Sequence, residues 1–250
     1  MRKLIINADD FALTEGCNTG IIKAFARGVV SSATILATCD GLPRAAEMAL
    51  AAKLPLGLHL CLTHGRPAAP PEKIPSLIDG HGLFKHVDVI HQNPPPAEEV
   101  ETEWRAQLAK LRSLGINPDH LDSHHYVHEY LGSGVADVAL RLARELGVPL
   151  RHTVAENKEH YRRNGVKTTD GFIGEFYGEQ ASVEQLLDIL SRPWSGALEL
   201  MCHPGEADDA IGDISSYSRG RQNELKILLS PPVGEAIRAR GIELICFFDL

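Results

Sequence analysis

The chain has 250 residues, 44% of them hydrophobic and 23% charged, a balance that provides enough apolar side chains for the core of one large globular domain. Its formal net charge is −8, and no run of basic residues offsets it, which argues against nucleic acid or an anionic membrane as the main partner. No apolar stretch approaches the roughly 18 residues that a membrane-spanning helix needs.

Five cysteines are scattered along the chain and are never spaced as C-x-x-C. This pattern favours reduced thiols over a disulfide framework or a cysteine-rich zinc site. The chain also begins without the long apolar segment and the cleavage-site pattern of a signal peptide. We therefore expect a cytoplasmic protein.

In the first half of the chain, short apolar runs alternate with stretches of helical periodicity. Residues 64–96 interrupt this alternation with many prolines and no periodicity, which predicts a functional loop or lid. We predict strands at residues 4–7, 33–38, 55–62 and 119–123, and helices at residues 16–28, 43–53 and 97–115.

The second half continues in the same way around an irregular segment at residues 154–181. About seven alternations of strand and helix predict a parallel sheet closed or nearly closed into a barrel, with residues 1–250 as one domain. An open doubly wound sheet competes with this interpretation, but the sequence lacks a glycine-rich dinucleotide motif and a P-loop. The predicted elements of this half are helices at residues 135–146, 183–190 and 223–240, and strands at residues 148–153, 197–202 and 242–248.

Two adjacent carboxylates, Asp9 and Asp10, follow the first apolar run. Burying even one unpaired charge costs several kcal/mol, which is comparable with the stability of a whole domain. If these residues are buried, a metal ion or a basic side chain should therefore lie against them. The alternative is an exposed pair in a turn, where Asp is common.

Other polar side chains lie where the later strands end, which is where the active sites of barrels are built. In the third strand, His59 shares one face with Gly57 and Cys61, so it should point into the barrel. One carboxylate and two imidazoles can hold a divalent metal, and the second carboxylate is then free to act as a base. Each histidine taken singly is also compatible with a core or turn position. The further candidates are His124, His125 and His128 after the fourth strand, Arg151 in the fifth and His203 after the sixth.

Five segments, taken together and in order, resemble the YdjC-like carbohydrate deacetylase family over nearly the whole chain. No single segment is specific, but the combination is. They are Asn7–Phe11, Gly57–Leu60, His120–His128, Gly171–Phe172 with Phe176–Gly178, and Glu199–Gly205.

The resemblance implies a deformed, TIM-barrel-like (β/α) barrel that hydrolyses the N-acetyl group of amino sugars such as chitooligosaccharides, for example diacetylchitobiose. It implies a divalent metal, usually magnesium, with zinc as the alternative. By motif, Asp10, His59 and His124 would be the metal ligands, Asp9 the general base and His203 the general acid. Arg151, His125, His128 and Asp170 would orient these groups or the substrate.

Two positions depart from the family pattern. Ala12 stands where the family usually has glycine, and a left-handed backbone there would strain alanine by roughly 1 kcal/mol. Tyr126 replaces the central histidine of the usual run of three, a change that we expect to alter substrate contacts rather than the metal set.

Several alternatives stay open at this stage. One is a metal-dependent hydrolase of another bond, such as a phosphoester, although the sequence has no cluster of basic residues that would hold a phosphate. A non-catalytic barrel that binds a metal or a sugar would carry the same motifs. The aromatic residues of the irregular segment either stack on a sugar or belong to the core. A homodimer is only the statistical default for a protein of this kind. These aromatic residues are Tyr161, Phe172, Phe176 and Tyr177.

Overall fold

The computed structural model of the chain describes residues 1–206, 208–215 and 217–250. Within these ranges, seven parallel strands form one sheet in the order β4-β3-β2-β1-β6-β5, and β7 pairs with β1. The strands are β1 (Arg2–Phe11), β2 (Ser32–Ile35), β3 (Leu56–Leu60), β4 (Leu121–Ser123), β5 (Gly171–Ile173), β6 (Gly196–Cys202) and β7 (Ile242–Leu244).

The sheet is curled into a deformed, partly closed barrel, as the sequence predicts. β1 lies at its centre and pairs along Arg2–Ala8 with β6. On its other edge β1 pairs first with β7 and then with β2. Beyond β4 the sheet continues through one parallel bridge between Leu121 and Leu150.

Eleven helices in the described ranges connect these strands, and their ends carry ordinary capping signals. Thr14 accepts a hydrogen bond from the backbone N–H of Cys17 at the start of α1, and Gly147 ends α6 in a left-handed conformation. The helices are α1 (Glu15–Arg27), α2 (Leu42–Ala52), α3 (Val87–Gln92), α4 (Ala97–Ser113), α5 (Val127–Tyr130), α6 (Ser133–Leu146), α7 (Ala155–Arg163), α8 (Val183–Ser191), α9 (Asp209–Ile214), α10 (Arg219–Leu228) and α11 (Pro231–Ala239).

Every second side chain of β1 points into the barrel, because successive side chains of a strand point to opposite faces. Along this inward face the side chains change from apolar to polar. Ile5 packs with Ala197, Ile245 and Phe247 in a small apolar cluster separate from the main core. Nearer the carboxyl end of β1, the side chain of Asn7 contacts Asp9 and Thr34. The apolar floor and the polar layer above it place the ionisable groups at the carboxyl ends of the strands.

Four predicted elements differ from the structure. Of the strand predicted at 242–248, only Ile242–Leu244 is a strand, and Phe247–Asp249 form a 3-10 turn. Residues 148–153 contribute only the bridge at Leu150 rather than a strand. The segment 154–181, predicted to be irregular, contains the polar helix α7 and the three-residue strand β5. The single helix predicted at 223–240 is two helices, because Pro231 and Pro232 lack the N–H groups that would continue α10.

The long loop at 64–96 is largely without regular structure, as predicted, and contains only a short 3-10 turn and α3 among its described residues. Glu103 of α4 anchors its beginning by accepting hydrogen bonds from the backbone N–H groups of Ala68 and Ala69. Among the described residues, no helix combines the length and the apolar character needed to cross a membrane.

Candidate metal and catalytic site

A cavity of about 650 Å³ opens at the carboxyl ends of the strands. This volume lies within the usual range for sites that bind small molecules. Its lining includes six of the candidate site residues selected from the sequence, which come from four different parts of the chain. They are Asp9, Asp10, His59, His124, His125 and His203.

A local irregularity of β1 lets two consecutive carboxylates reach the same cavity. The register between β1 and β2 shifts between Ala8 and Phe11, and Asp10 and Ala12 both have positive φ angles, of 69° and 81°. In a regular strand Asp9 and Asp10 would point to opposite faces. The irregularity therefore turns both side chains towards the site, and Ala12 has the left-handed backbone anticipated from its departure from glycine.

Asp10 lies at the centre of the candidate metal site. Its Oδ1 is 2.9 Å from Nδ1 of His124 and 3.5 Å from Nε2 of His59. Its Oδ2 accepts a hydrogen bond of 2.7 Å from Nη2 of Arg221. Burial alone would raise the pKa of the Asp10 carboxyl, but the neighbouring His124 and Arg221 hold it well below its usual range.

Asp122 fixes the orientation of the His59 imidazole. Its Oδ1 lies 2.7 Å from Nδ1 of His59, so Nδ1–H donates to this carboxylate and Nε2 faces Asp10. Burial lowers the pKa of His59, but the carboxylates of Asp122 and Asp10 outweigh this and raise it to about 10. A carboxylate on the far ring nitrogen is the usual partner of a metal-ligating histidine.

Asp10, His59 and His124 fit a divalent cation. Their ligand atoms all lie within 4.8 Å of one another. Although Nδ1 of His124 lies 2.9 Å from it, the buried Oδ1 of Asp10 forms no hydrogen bond with the described residues, as expected for an oxygen whose natural partner is a cation. The ligand atoms of Asp9, His59 and Asp122 also lie within 4.8 Å of one another, but Arg151 already forms ion pairs with both of these carboxylates.

Asp9 is held by Arg151 through two parallel hydrogen bonds. Nη1 and Nη2 of Arg151 lie 2.6 Å and 2.7 Å from the two carboxylate oxygens of Asp9. The side chain of Asn7 donates a further bond of 2.8 Å to Oδ1. Such paired bonds fix both the charge and the direction of a carboxylate. Asp9 is therefore oriented by the protein and not by the metal set.

Arg151 is itself enclosed by three carboxylates. Besides Asp9, its Nε donates to Glu199 at 2.6 Å and its Nη1 lies 2.9 Å from Asp122. Burial would lower the pKa of the guanidinium, but the three carboxylates raise it well above its usual value. Burial raises the pKa of Glu199 to about 7, against the effect of Arg151. This network connects the metal side of the site, through Asp122, with the Asp9 side.

His203 follows β6 and reaches the cavity from the side opposite β3. Its backbone N–H donates a 2.5 Å hydrogen bond to the buried Glu224, while its Nδ1 is buried without a partner among the described residues. Burial lowers the pKa of His203 to about 4, so the imidazole is neutral at pH 7. The rings of Tyr177 and Tyr217 lie nearly perpendicular to the imidazole, with centroids 5.6 Å and 5.9 Å away.

The remaining candidates lie in different environments. His125 lines the cavity and its Nδ1 lies 2.9 Å from Oγ1 of Thr63. His128 is fully buried, and its ring joins Ser123 to the backbone carbonyl of Arg151, so it acts behind the cavity. Asp170 directly precedes β5 and lies outside the cavity, beside the start of β6, where it pairs with Arg162 and accepts from the N–H of Ala197. The structure therefore does not bring Asp170, predicted to orient the site groups or the substrate, to the cavity.

Sequence reasoning missed several residues of the site. Asp122 shares a strand face with His124 in the sequence, but nothing in the motif indicates that it is the partner of His59. Arg221 and Glu224 sit on α10, with no motif to distinguish them from ordinary surface charges of a helix. Of the four aromatic candidates, Tyr161 and Phe176 are buried core residues and Tyr177 lines the cavity. Phe172 is half-buried, with the guanidinium of Arg151 5.5 Å from the centre of its ring.

Known proteins are similar to this chain over nearly its whole length. A profile of the family described as YdjC-like protein matches residues 3–239. A carbohydrate deacetylase from Clostridium beijerinckii is 37% identical over 251 residues, covering 99% of this chain and 100% of the relative. A chitooligosaccharide deacetylase from Proteus mirabilis is 35% identical over 256 residues, covering 99% of this chain and 98% of the relative.

The fold is also shared with a solved structure from Enterococcus faecalis, provisionally described as a cellobiose-phosphate cleavage protein. That structure is 38% identical, with a TM-score of 0.91 over 99% of this chain and 98% of its own. The family match spans residues 3–239, the range that contains all the residues lining the cavity. The chain belongs to the YdjC-like protein family.

Proposed function

We propose that this protein is a metal-dependent carbohydrate deacetylase that removes the acetyl group from N-acetylated amino sugars, with short chitooligosaccharides as the substrate class. The observation that supports this most is the juxtaposition in one cavity of a candidate metal set, Asp10, His59 and His124, with an oriented carboxylate, Asp9. The names of the relatives, carbohydrate and chitooligosaccharide deacetylase, support the same reaction.

The metal set defines what a bound cation would contribute. A divalent cation held by Asp10, His59 and His124 would supply Lewis acidity, which polarises a carbonyl oxygen and makes a water molecule a better nucleophile at neutral pH. We propose magnesium as this cation, because the resemblance implies it. Zinc is the alternative, since two imidazoles among three ligands also suit it.

The protein's own groups would handle the protons. In the first assignment, Asp9 takes a proton from the attacking water, and Arg151 holds the carboxylate in its orientation. His203, which must enter this step as the imidazolium, then gives its proton to the departing amine, because an amide nitrogen is a poor leaving group without one, and Asp9 returns its proton to solvent. The products would be acetate and a free amino sugar.

A second assignment gives both proton transfers to His203. It is favoured by the neutral charge of this imidazole at pH 7, since its pKa is lowered to about 4, and by its unpartnered Nδ1. A neutral imidazole can act as a base in the first step and, once protonated, as an acid in the second. It cannot act as a general acid before it has been protonated. In this assignment Asp9 and Arg151 act only by fixing the charge around the site.

Acetate release tests the proposed reaction. We expect purified protein to release acetate from diacetylchitobiose and longer oligomers, to lose this activity with a chelator and to regain it when a divalent metal is added. If Asp9 is the base, Asp9→Asn should keep its fold and its metal binding while losing at least about 100-fold in kcat. Metal binding without acetate release from any N-acetylated sugar would contradict the deacetylase assignment and favour a binding-only barrel.

The role of His203 is tested with a substrate whose leaving group needs no proton, such as an aryl acetate ester. If His203 is only the acid, His203→Gln should lose activity on the acetylated sugar but keep it within about threefold on the ester. If His203 is also the base, the variant should lose both activities. Asp9→Asn is the comparison, since only the first assignment predicts that it fails on both substrates.

The cytoplasmic location and the homodimer stay predictions of this proposal. Neither depends on the arrangement of the cavity.

A further inference from the structure

Arg221 contacts the candidate metal ligand Asp10 from outside the motifs that define the site. It lies on α10 and is only 3% exposed. Its Nη2 is 2.7 Å from Oδ2 of Asp10, and the ion pair is buried on both sides. A charged side chain so close to a metal ligand influences how that ligand binds a cation.

The position of Arg221 is set by the backbone around it as well as by Asp10. Its Nε donates a 2.8 Å hydrogen bond to the carbonyl oxygen of Tyr217, and its own carbonyl accepts from the N–H of Gly205 at 3.1 Å. A β-carbon added at Gly205 would lie 3.3 Å from Cβ of Arg221, so the two segments are in close contact. The guanidinium is thus held in place independently of the metal site.

The two oxygens of Asp10 are consequently divided between two sets of partners. Oδ1 faces the imidazoles of His59 and His124, whereas Oδ2 is occupied by Arg221. A carboxylate can ligate a metal through one oxygen or through both. Arg221 competes with a cation for the second oxygen, and its positive charge repels a cation held by the first.

We propose that Arg221 is a positioning residue that restricts Asp10 to coordination through one oxygen. This restriction weakens metal binding but leaves a coordination position of the metal open. A catalytic metal site keeps coordination positions free for water and substrate, and a two-oxygen ligand would fill one of them. The inference rests on the metal set given under the proposed function, but it does not depend on which bond the enzyme hydrolyses.

Cobalt binding by the full-length, metal-free protein tests this inference without substrate. Arg221→Met should bind Co²⁺ at least about tenfold more tightly than the wild type in titration calorimetry, because the competing charge is gone. Its visible absorption per bound Co²⁺ should be weaker, since Co²⁺ absorbs less strongly as its coordination number rises. Its kcat should fall at the same time.

Arg219→Met is the matched control, because Arg219 begins the same helix and is exposed. It should bind Co²⁺ with the affinity and spectrum of the wild type. If Arg221→Met does not fold, Arg221→Gln removes the same charge with a smaller change in packing and is judged by the same affinity criterion. A folded variant at position 221 that binds Co²⁺ with unchanged or lower affinity would reduce Arg221 to a structural ion pair, and absence of Co²⁺ binding by the wild type would overturn the inference as well.

Failure of this inference and failure of the deacetylase proposal are distinguishable. Acetate release with unchanged Co²⁺ affinity in Arg221→Met would leave the reaction standing and remove the role of Arg221. Tighter Co²⁺ binding without acetate release from any sugar would support the role of Arg221 at a site of different chemistry.

Discussion

At the scale of single residues, Ala12 carries a strain that a glycine would remove. Its φ angle of 81° is one that L side chains adopt at a cost of roughly 1–2 kcal/mol. We expect Ala12→Gly to raise the free energy of unfolding by about 0.5–1 kcal/mol, because relief of strain exceeds the greater flexibility of glycine in the unfolded chain. Urea denaturation monitored by circular dichroism measures this difference.

Ala8→Gly provides the control, since Ala8 is equally buried on the regular part of β1. There the substitution relieves no strain, so it should lower the free energy of unfolding by about 0.5–1 kcal/mol. If both glycine variants are destabilised to the same extent, the backbone at position 12 is not strained and the left-handed conformation costs nothing.

The sequence predicted the candidate site residues unevenly, and the reason is where each residue lies relative to the strands. Asp9, Asp10, His59, His124 and His203 follow or end apolar runs, so the geometry of a parallel barrel alone brings them together. Arg221 and Glu224 enter the site from α10, and helix residues reach a cavity only through tertiary packing. No local pattern distinguishes them from charges on a solvated helix face.

At the scale of elements, regular structure was predicted best where burial produces either a continuous apolar run or a helical periodicity. The strands β1, β3 and β6 are buried along nearly their whole length, and the amphipathic helices α4 and α6 each bury one apolar face. Helix α7 was missed because Tyr161 is its one buried residue, so it carries no apolar stripe. Strand β5 was missed because it has three residues, too few for an alternation to be recognised.

The division of the predicted helix at 223–240 has a different cause. The apolar periodicity continues across α10 and α11, but Pro231 and Pro232 interrupt the backbone hydrogen bonds between them. Prolines are favoured in the first turn of a helix, where their missing N–H groups would have no partner in any case. Here a local rule outweighs the hydrophobic pattern, and α11 starts again at the prolines.

At the scale of the whole molecule, the cavity is supported by an unusual number of buried charges. Five carboxylates, two arginines and several histidines lie in one layer above the apolar floor of the barrel. A buried charge that loses its partner is costly, so this layer is stable only as a set. The buried carboxylates are Asp9, Asp10, Asp122, Glu199 and Glu224, and the arginines are Arg151 and Arg221.

This layer makes the stability of the metal-free protein depend on pH in two opposite ways. Burial lowers the pKa of His125 to about 3 and that of His203 to about 4, so these histidines destabilise the fold as the pH falls below their unfolded value of about 6.5. Burial raises the pKa of Glu199 and Glu224 to about 7. Their contribution is fully present below an unfolded pKa of about 4.5 and is lost as the pH rises through 7.

Glu224→Gln isolates one of these contributions. Glu224 accepts hydrogen bonds from the backbone N–H of His203 and from the hydroxyl of Tyr217, and glutamine keeps an oxygen for the first. Wild type should lose about 2–3 kcal/mol more than the variant between pH 5 and pH 8, because only the wild type must release a buried proton in that interval. The histidine contributions are common to both proteins and cancel in the comparison.

Urea denaturation of both proteins in the presence of a chelator, at pH 5 and at pH 8, measures the difference. A stability difference between variant and wild type that stays constant across this range would mean that Glu224 is already ionised at pH 5. The Tyr217 hydroxyl and the His203 N–H would then stabilise the carboxylate more than burial opposes it, and α10 would bring a permanent negative charge to the His203 side of the cavity.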